Sequence, residues 1–171
     1  MNELLKKIRT VPDFPKPGIL FYDVTTLLKD PVTFSEVLEA MAEPFERKKI
    51  ELVCSIESRG FIFGAALASD LGAGFVPIRK PGKLPWKKAR EEYSLEYGKD
   101  AIEMHVDAVG KGQRVLLVDD LLATGGTAAA AISLLRKFEA DIVGAAFVIE
   151  LKALAGRQKL NGIEIHSLVV V

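Results

Sequence analysis

Cysteine is nearly absent from this 171-residue chain; Cys54 is the only one. No intrachain disulfide can form, and the apolar run Leu52-Val53-Cys54-Ser55-Ile56 around it predicts an inert core thiol in a reducing compartment. Histidine is almost as scarce. His105 and His166 lie far apart on stretches of alternating polarity, so both are expected on strand faces and a structural zinc site is close to excluded. Net charge is missing too: 23 basic side chains stand against 23 acidic ones, which argues against a protein built mainly to coat nucleic acid. No apolar run approaches the ~20 residues of a membrane span. No basic start leads into an apolar signal core, so no membrane partner and a soluble, cytoplasmic protein are expected. Neither Gly-x-x-x-x-Gly-Lys-Ser/Thr nor Gly-x-Gly-x-x-Gly occurs, which removes the ordinary P-loop and dinucleotide signatures. No repeat, low-complexity tract or linker divides the chain, and at 49% apolar it is expected to form one domain over residues 1–171.

What is present concentrates in Val115–Thr127, VLLVDDLLATGGT. The apolar run Val115–Val118 predicts a strand buried on both faces, ending in the carboxylates Asp119 and Asp120. The turn Ala123-Thr124-Gly125-Gly126-Thr127 then opens an Ala-rich helix expected over 128–138. Glycines let backbone N–H groups face anionic oxygens without a Cβ in the way, and a helix start adds unsatisfied donors. Carboxylates repel phosphate but accept hydrogen bonds from sugar hydroxyls, or hold a Mg²⁺ shared with the ligand. Strand, acid pair, hydroxyl-and-glycine loop and helix together suit a phosphate beside a polyol.

Elsewhere strands and helices alternate. Short elements precede residue 30: a helix over 2–9, a restrained loop from Val11 to Gly18, and an apolar stretch over 19–24. Asp30-Pro31 predicts a capped helix start, with Val37, Leu38, Met41 and Phe45 as its buried stripe. Strands are then expected over 52–56, 75–78, 143–149 and 163–171, and helices over 60–71 and 152–160. Residues 93–97 and 101–106 suit a hairpin turning at 98–100. This order predicts an α/β fold, a doubly wound parallel sheet whose ligands lie beyond the carboxyl ends of the strands.

Two further stretches carry chemistry. Glu57-Ser58-Arg59-Gly60 follows a buried strand and opens a helix, placing Arg59 for a bidentate contact with a phosphate-type anion. Arg79–Arg90, RKPGKLPWKKAR, holds six basic residues and no acid. It reads either as a nucleic-acid loop or as a mobile lid over a polyphosphate. Glu96, just beyond, does not stand out from the other acids on composition alone.

With these pieces assembled, the chain resembles the type I phosphoribosyltransferases, and within them the members that act on adenine. Val115–Thr127 is similar to their phosphoribosyl-pyrophosphate (PRPP) motif. The narrower likeness lies in FPKPGILF at 14–21, ESRGF at 57–61, IRKPGKLP at 78–85, YSLEYG at 93–98 and GRQKL at 156–160. The resemblance implies a small hood from residues 1–30 and a flexible lid over 79–98. It implies transfer of a ribosyl group from PRPP to adenine, giving AMP and pyrophosphate, with Mg²⁺ and a homodimer. By the same resemblance Asp119 and Asp120 face the ribose hydroxyls, and Ala123, Thr124, Gly125, Gly126 and Thr127 hold the 5′-phosphate. Glu57, Ser58, Arg59, Arg79, Lys80 and Lys83 hold pyrophosphate, and Leu20, Phe21, Tyr22 and Tyr97 border adenine. Glu96, Arg59 and Asp120 are the implied catalytic groups, Glu96 through a proton at adenine N7. Tyr22 stands where many relatives carry Arg. A phosphoribosyltransferase for another purine, or a PRPP-sensing regulator, are the alternatives; a regulator would need a DNA-binding module for which the first eleven residues are too short.

Overall fold

Alternation of β-branched runs with small-residue helices sets the order of elements in the computed structural model, which describes residues 3–95 and 98–171. A short helix α1 (Glu3–Lys7) is followed by β1 (Arg9–Pro12) and β2 (Leu20–Asp23), which pair antiparallel with Val11 opposite Phe21. The expected restrained loop therefore begins as a strand. A two-stranded ribbon tolerates Pro12 because each strand has an unpaired edge. Next come α2 (Thr25–Leu28) and α3 (Pro31–Ala42). Asp30 caps α3 as its sequence predicts, its carboxylate accepting from the Thr33 N–H at 2.8 Å, and Val37, Leu38, Met41 and Phe45 are all buried.

The sheet is built from β3 (Leu52–Ile56), β4 (Gly74–Ile78), β7 (Arg114–Leu122), β8 (Asp141–Glu150) and β9 (Ile165–Val170), all parallel in the order β4-β3-β7-β8-β9. Its crossovers include α4 (Gly60–Asp70) and α5 (Gly126–Lys137). Side chains alternate along each strand, so two cores form. Leu116 and Val118 face the α3–α4 side with Met41, Phe45, Phe63 and Leu67. Val115 and Leu117 face α5, with Ile132 and Leu135. The doubly wound α/β sheet is the expected one. In place of a helix over 152–160 the chain makes two 3₁₀ turns, Lys152–Leu154 and Gly156–Lys159. Ala155 between them sits in the left-handed region at φ 52°, which ends the first turn.

The hairpin pairs β5 (Lys88–Leu95) with β6 (Gly98–His105), closing at Leu95 opposite Gly98 rather than turning at 98–100. Ile102 and Met104 of β6 complete the second core, so the hairpin is part of the globule. In this arrangement the basic stretch before it is tied down at several points. Arg79 bridges to Glu103 in antiparallel fashion, the Gly82 N–H donates to the buried Glu103 carboxylate at 3.1 Å, and Leu84 is buried. From Lys88 onward the stretch is strand. Composition showed its charge but not these anchors.

Cys54 is fully buried in the second core, where loss of solvation pushes its thiol pKa up to about 12. The native protein at pH 8 is therefore expected to resist Ellman's reagent, with the thiol titrating only in denaturant. Rapid reaction without denaturant would show that this strand opens readily.

Candidate active site

Strand β3 leads outward to β4 while β7 leads the other way to β8, so the loops that follow them diverge and leave a crevice at the sheet's carboxyl edge. Pairing of β3 with β7 stops at Ser55 and Val118, but β7 continues along β8 as far as Leu122 opposite Glu150. Asp119 and Asp120 thus lie inside β7, not beyond its end. They are held by the β8 ladder on one side and open on the other. Into that opening comes α4. A Cβ on Gly60 would lie 2.6 Å from Asp119 Oδ1, and one on Gly64 would lie 2.5 Å from Ser55 Cβ. Two glycines one turn apart let the helix settle closely against Asp119 and Ser55 of the two strands.

The Asp119 carboxylate accepts from the Asp120 N–H at 2.9 Å. Burial first, and the neighbouring Asp120 charge second, push its pKa well above the ordinary carboxylate range. Asp120 is itself buried, and its carboxylate accepts from Arg59 Nε at 2.5 Å. The Arg59 guanidinium also lies 5.3 Å from the centre of the Phe21 ring. A cation–π contact at such a half-exposed site contributes only about 0.5–1 kcal/mol, so the charge-assisted bond to Asp120 does more to fix the side chain. Phe21 meets Phe14 edge-on at 5.1 Å, with Phe14, Ile19 and Leu20 exposed around it. This is an open apolar platform beside a cation. Tyr22, the next residue along β2, packs on the first core instead, because successive strand side chains take opposite faces.

Glu57 also differs from expectation. Its carboxylate accepts from Arg79 Nε at 3.0 Å, from the second Arg79 nitrogen at 3.2 Å and from the Lys80 N–H at 3.1 Å. The Arg79 hydrogen bond holds its pKa below the usual value despite partial burial. An ionised carboxylate so engaged orients Arg79 and does not itself bind an anion. Ser58 and Lys83 are exposed at the rim. Lys80 turns to the hairpin, donating to the Tyr93 hydroxyl at 2.8 Å and to Asp100. Of the six basic residues in the stretch, Arg79, Lys80, Lys88 and Arg90 are in ion pairs. The charge of the stretch is thus neutralised largely at short range.

Gly125 N-caps α5 with φ +73° and no side-chain cap, leaving the first N–H groups of a twelve-residue helix to face the crevice edge. Its neighbour was not foreseen. A Cβ on Gly125 would meet the Gly156 carbonyl oxygen at 2.4 Å, and one on Gly156 would meet the Ala123 oxygen at 2.2 Å. The 123–127 loop therefore rests on the backbone of the 3₁₀ segment. Among the described residues no three His, Cys, Asp or Glu side chains gather as a metal site. His166 Nε2 lies 2.9 Å from the Ala40 carbonyl oxygen, and His105 packs edge-on to Trp86. Glu96 and Tyr97 lie outside the described residues.

The family model for the phosphoribosyl transferase domain matches residues 23–166. The chain belongs to the phosphoribosyltransferase family. It is 58% identical over 169 residues to the adenine phosphoribosyltransferase of Solibacter usitatus, covering 99% of this chain and 98% of that one. Among solved structures it is similar to the adenine phosphoribosyltransferase of Rhodothermus marinus, with a TM-score of 0.94 and 51% identity over 98% of this chain and 96% of that one. It is similar also to the Saccharomyces cerevisiae enzyme, crystallised with adenine and an imino-altritol bisphosphate, at TM-score 0.92 and 42% identity over 97% and 96% of the two chains.

In this phosphoribosyltransferase the fold brings Arg59, Asp119, Asp120, the 123–127 loop and Phe21 to one crevice, with Glu57 and Arg79 at its edge. It leaves Lys80 on the hairpin and Tyr22 partly buried against the first core. Gly156, Tyr93 and Asp100 were missed as partners of the site. The sequence signals for Gly156 are its place at the head of the GRQKL motif and a glycine between helical-looking residues, neither of which shows its contact with the 123–125 loop.

Because its folded pKa is raised, Asp119 favours the folded state below the ordinary carboxylate pKa of about 3.9, and that contribution is lost as pH rises through the folded value. Asp119→Asn is therefore expected to unfold at a higher temperature than wild type at pH 7–8, with the gap closing toward pH 3.5. An equal midpoint at both pH values would refute the strained carboxylate.

Proposed function

We infer that this chain transfers the 5-phosphoribosyl group of PRPP to adenine, forming AMP and releasing pyrophosphate. The observation that carries this reading is the crevice between β3 and β7. There an arginine, two adjacent carboxylates and an uncapped glycine loop share one sheet edge with an aromatic platform. Relatives named adenine phosphoribosyltransferase match almost the full length of the chain, which supports adenine over another purine base. No lysine stands in the 142–149 strand to donate to a 6-oxo purine.

In the proposed reaction adenine N9 bonds to the anomeric carbon as the opposite bond to pyrophosphate breaks, its electron pair leaving with the diphosphate. Positive charge grows on the ribosyl ring and negative charge on the leaving group, so the site must answer both and exclude water. We assign Asp119 and Asp120 to the ribose hydroxyls, with Asp120 also facing the developing ribosyl charge. The N–H groups of Ala123, Thr124, Gly125, Gly126 and Thr127, with the two threonine hydroxyls, hold the 5′-phosphate. Ser58, Arg59, Arg79 and Lys83 meet pyrophosphate, and Glu57 serves by aiming Arg79. Lys80 joins them only by leaving Asp100 and Tyr93. Leu20 backbone groups and the Phe21 ring border adenine, with Tyr97 nearby, and the Glu96 carboxylate takes the proton from N7 as N9 attacks.

Mg²⁺ needs few protein ligands here, since it binds through one or two carboxylates, water and substrate phosphates. A carboxylate pair with no third acid gathered beside it among the described residues suits an ion that arrives on PRPP, where it would neutralise the diphosphate. We further propose a single domain over residues 1–171, with a hood from 1–30, working in the cytoplasm as a homodimer. Among the described residues no helix is long and apolar enough to cross a membrane. Sedimentation checks the dimer; a monomer throughout would remove it.

Product analysis across a purine panel tests the reaction: adenine with PRPP and Mg²⁺ is expected to give AMP, and IMP formation from hypoxanthine alone would reverse the base assignment. Glu96→Gln is expected to lower kcat by about 10²- to 10⁴-fold with little change in the KM for PRPP. A raised KM at constant kcat would instead make Glu96 a binding group.

A further inference from the structure

Glu150 closes β8 with a carboxylate that is only 5% exposed. Three donor atoms from two side chains converge on it. Arg157 donates through Nε at 2.9 Å and through a terminal nitrogen at 2.5 Å, and the Ser167 hydroxyl of β9 donates at 2.7 Å. The remaining terminal nitrogen of Arg157 donates to the Ile165 carbonyl at 3.1 Å. One guanidinium is thus locked to the ends of two neighbouring strands by a bidentate pair and a backbone bond, the geometry in which arginine is hardest to replace.

Arg157 follows Gly156 directly, and Gly156 is the backbone on which the Ala123–Gly125 loop rests, so closely that neither Gly125 nor Gly156 has room for a Cβ. A second tie runs parallel, since the Leu151 N–H donates to the Leu122 carbonyl at 2.8 Å immediately before that loop. A continuous rigid path therefore joins the buried carboxylate to the N–H groups of the loop. We propose that the Glu150–Arg157–Ser167 cluster is a positioning device for the 5′-phosphate loop, fixing the height of Gly156 and so the geometry in which residues 123–127 meet the ribosyl phosphate. This rests on the assignment of that loop to phosphate. Paired ionisation is consistent with it: Arg157 holds the Glu150 pKa low, and Glu150 in turn raises that of Arg157.

Anion binding by converging N–H groups depends on their alignment, and misplacement by about 1 Å costs as much as 10²-fold. Arg157→Gln is expected to raise the KM for PRPP and the Kd for ribose 5-phosphate by about tenfold or more, leaving the KM for adenine within about twofold. Arg157→Lys keeps the charge but loses the fork, and Ser167→Ala keeps the ion pair. Both are expected to fold, with Arg157→Lys showing an intermediate loss of phosphate affinity and Ser167→Ala a smaller one. Ribose 5-phosphate binding, followed by calorimetry on the whole protein, carries no base and involves no chemistry. It therefore separates this proposal from the assignment of adenine. A wild-type protein that binds ribose 5-phosphate but makes no AMP would overturn the reaction and leave the positioning testable. A folded Arg157→Gln or Arg157→Lys with unchanged ribose 5-phosphate affinity would overturn the positioning. An equal rise in the KM for both substrates would do the same, as the mark of general loosening.

Discussion

Strand β7 hydrogen-bonds to β3 only as far as Val118 yet runs on beside β8 to Leu122, and the unpaired flank this leaves is what every other feature of the site occupies. Had the two strands parted together, Asp119 and Asp120 would sit in a loop, exposed and free to turn away. Instead they are held in extended backbone with one edge open. Gly60 brings α4 against that edge, and Arg59 at the helix start reaches Asp120 because the helix is so close. The same overrun carries the chain to Ala123 at a fixed height above the 3₁₀ segment. The 123–127 loop, acid pair and arginine are thus set by one difference in strand length.

The electrostatics follow from the chain's even balance of charge, which is resolved locally rather than as a field. Glu57 with Arg79, Asp120 with Arg59, Asp100 with Lys80 and Glu150 with Arg157 each neutralise at short range. Most of these groups are partly exposed, so such pairs add little to stability, and their value lies in direction. Asp119 is the contrast. It is half-buried next to another carboxylate with only indirect help from Arg59, and its ionised form is disfavoured. On the proposed assignment of Asp119 to the ribose hydroxyls, the site holds this acceptor at some cost in stability, the usual exchange where geometry serves chemistry.

Most of the architecture was legible because its causes are local. Apolar runs of four to six residues fixed the strands, Asp30-Pro31 fixed the start of α3, and the order of elements fixed the parallel sheet. Errors came where long-range contacts decide. Val11-Pro12 pairs with Leu20-Phe21, which no periodicity signals. The basic stretch looked structureless because Glu103 and Leu84, the residues that anchor it, act through tertiary contacts. Strand alternation, which adjacency in sequence hides, sends Tyr22 to the face opposite Phe21. Glu57 was grouped with anion-binding residues by position in a motif, although its charge already argued for a supporting part.

Glycine shows where the boundary of sequence reading falls. Gly125 was legible as a loop glycine since a turn before a helix, beside a second glycine and two threonines, asks for left-handed backbone and open N–H groups. Gly156 has an ordinary negative φ and no motif chemistry of its own; its requirement is the oxygen of Ala123 lying where a side chain would be. A conformational need is written into the residues beside it, whereas a packing need is written into a partner thirty-odd positions away. The two glycines nonetheless answer one demand, because the loop at 123–125 is braced where its backbone meets that of the 3₁₀ segment. It must lean on other backbone, and that backbone has to be fixed from behind by something stiffer than a 3₁₀ turn. A buried carboxylate holding a forked arginine meets that description.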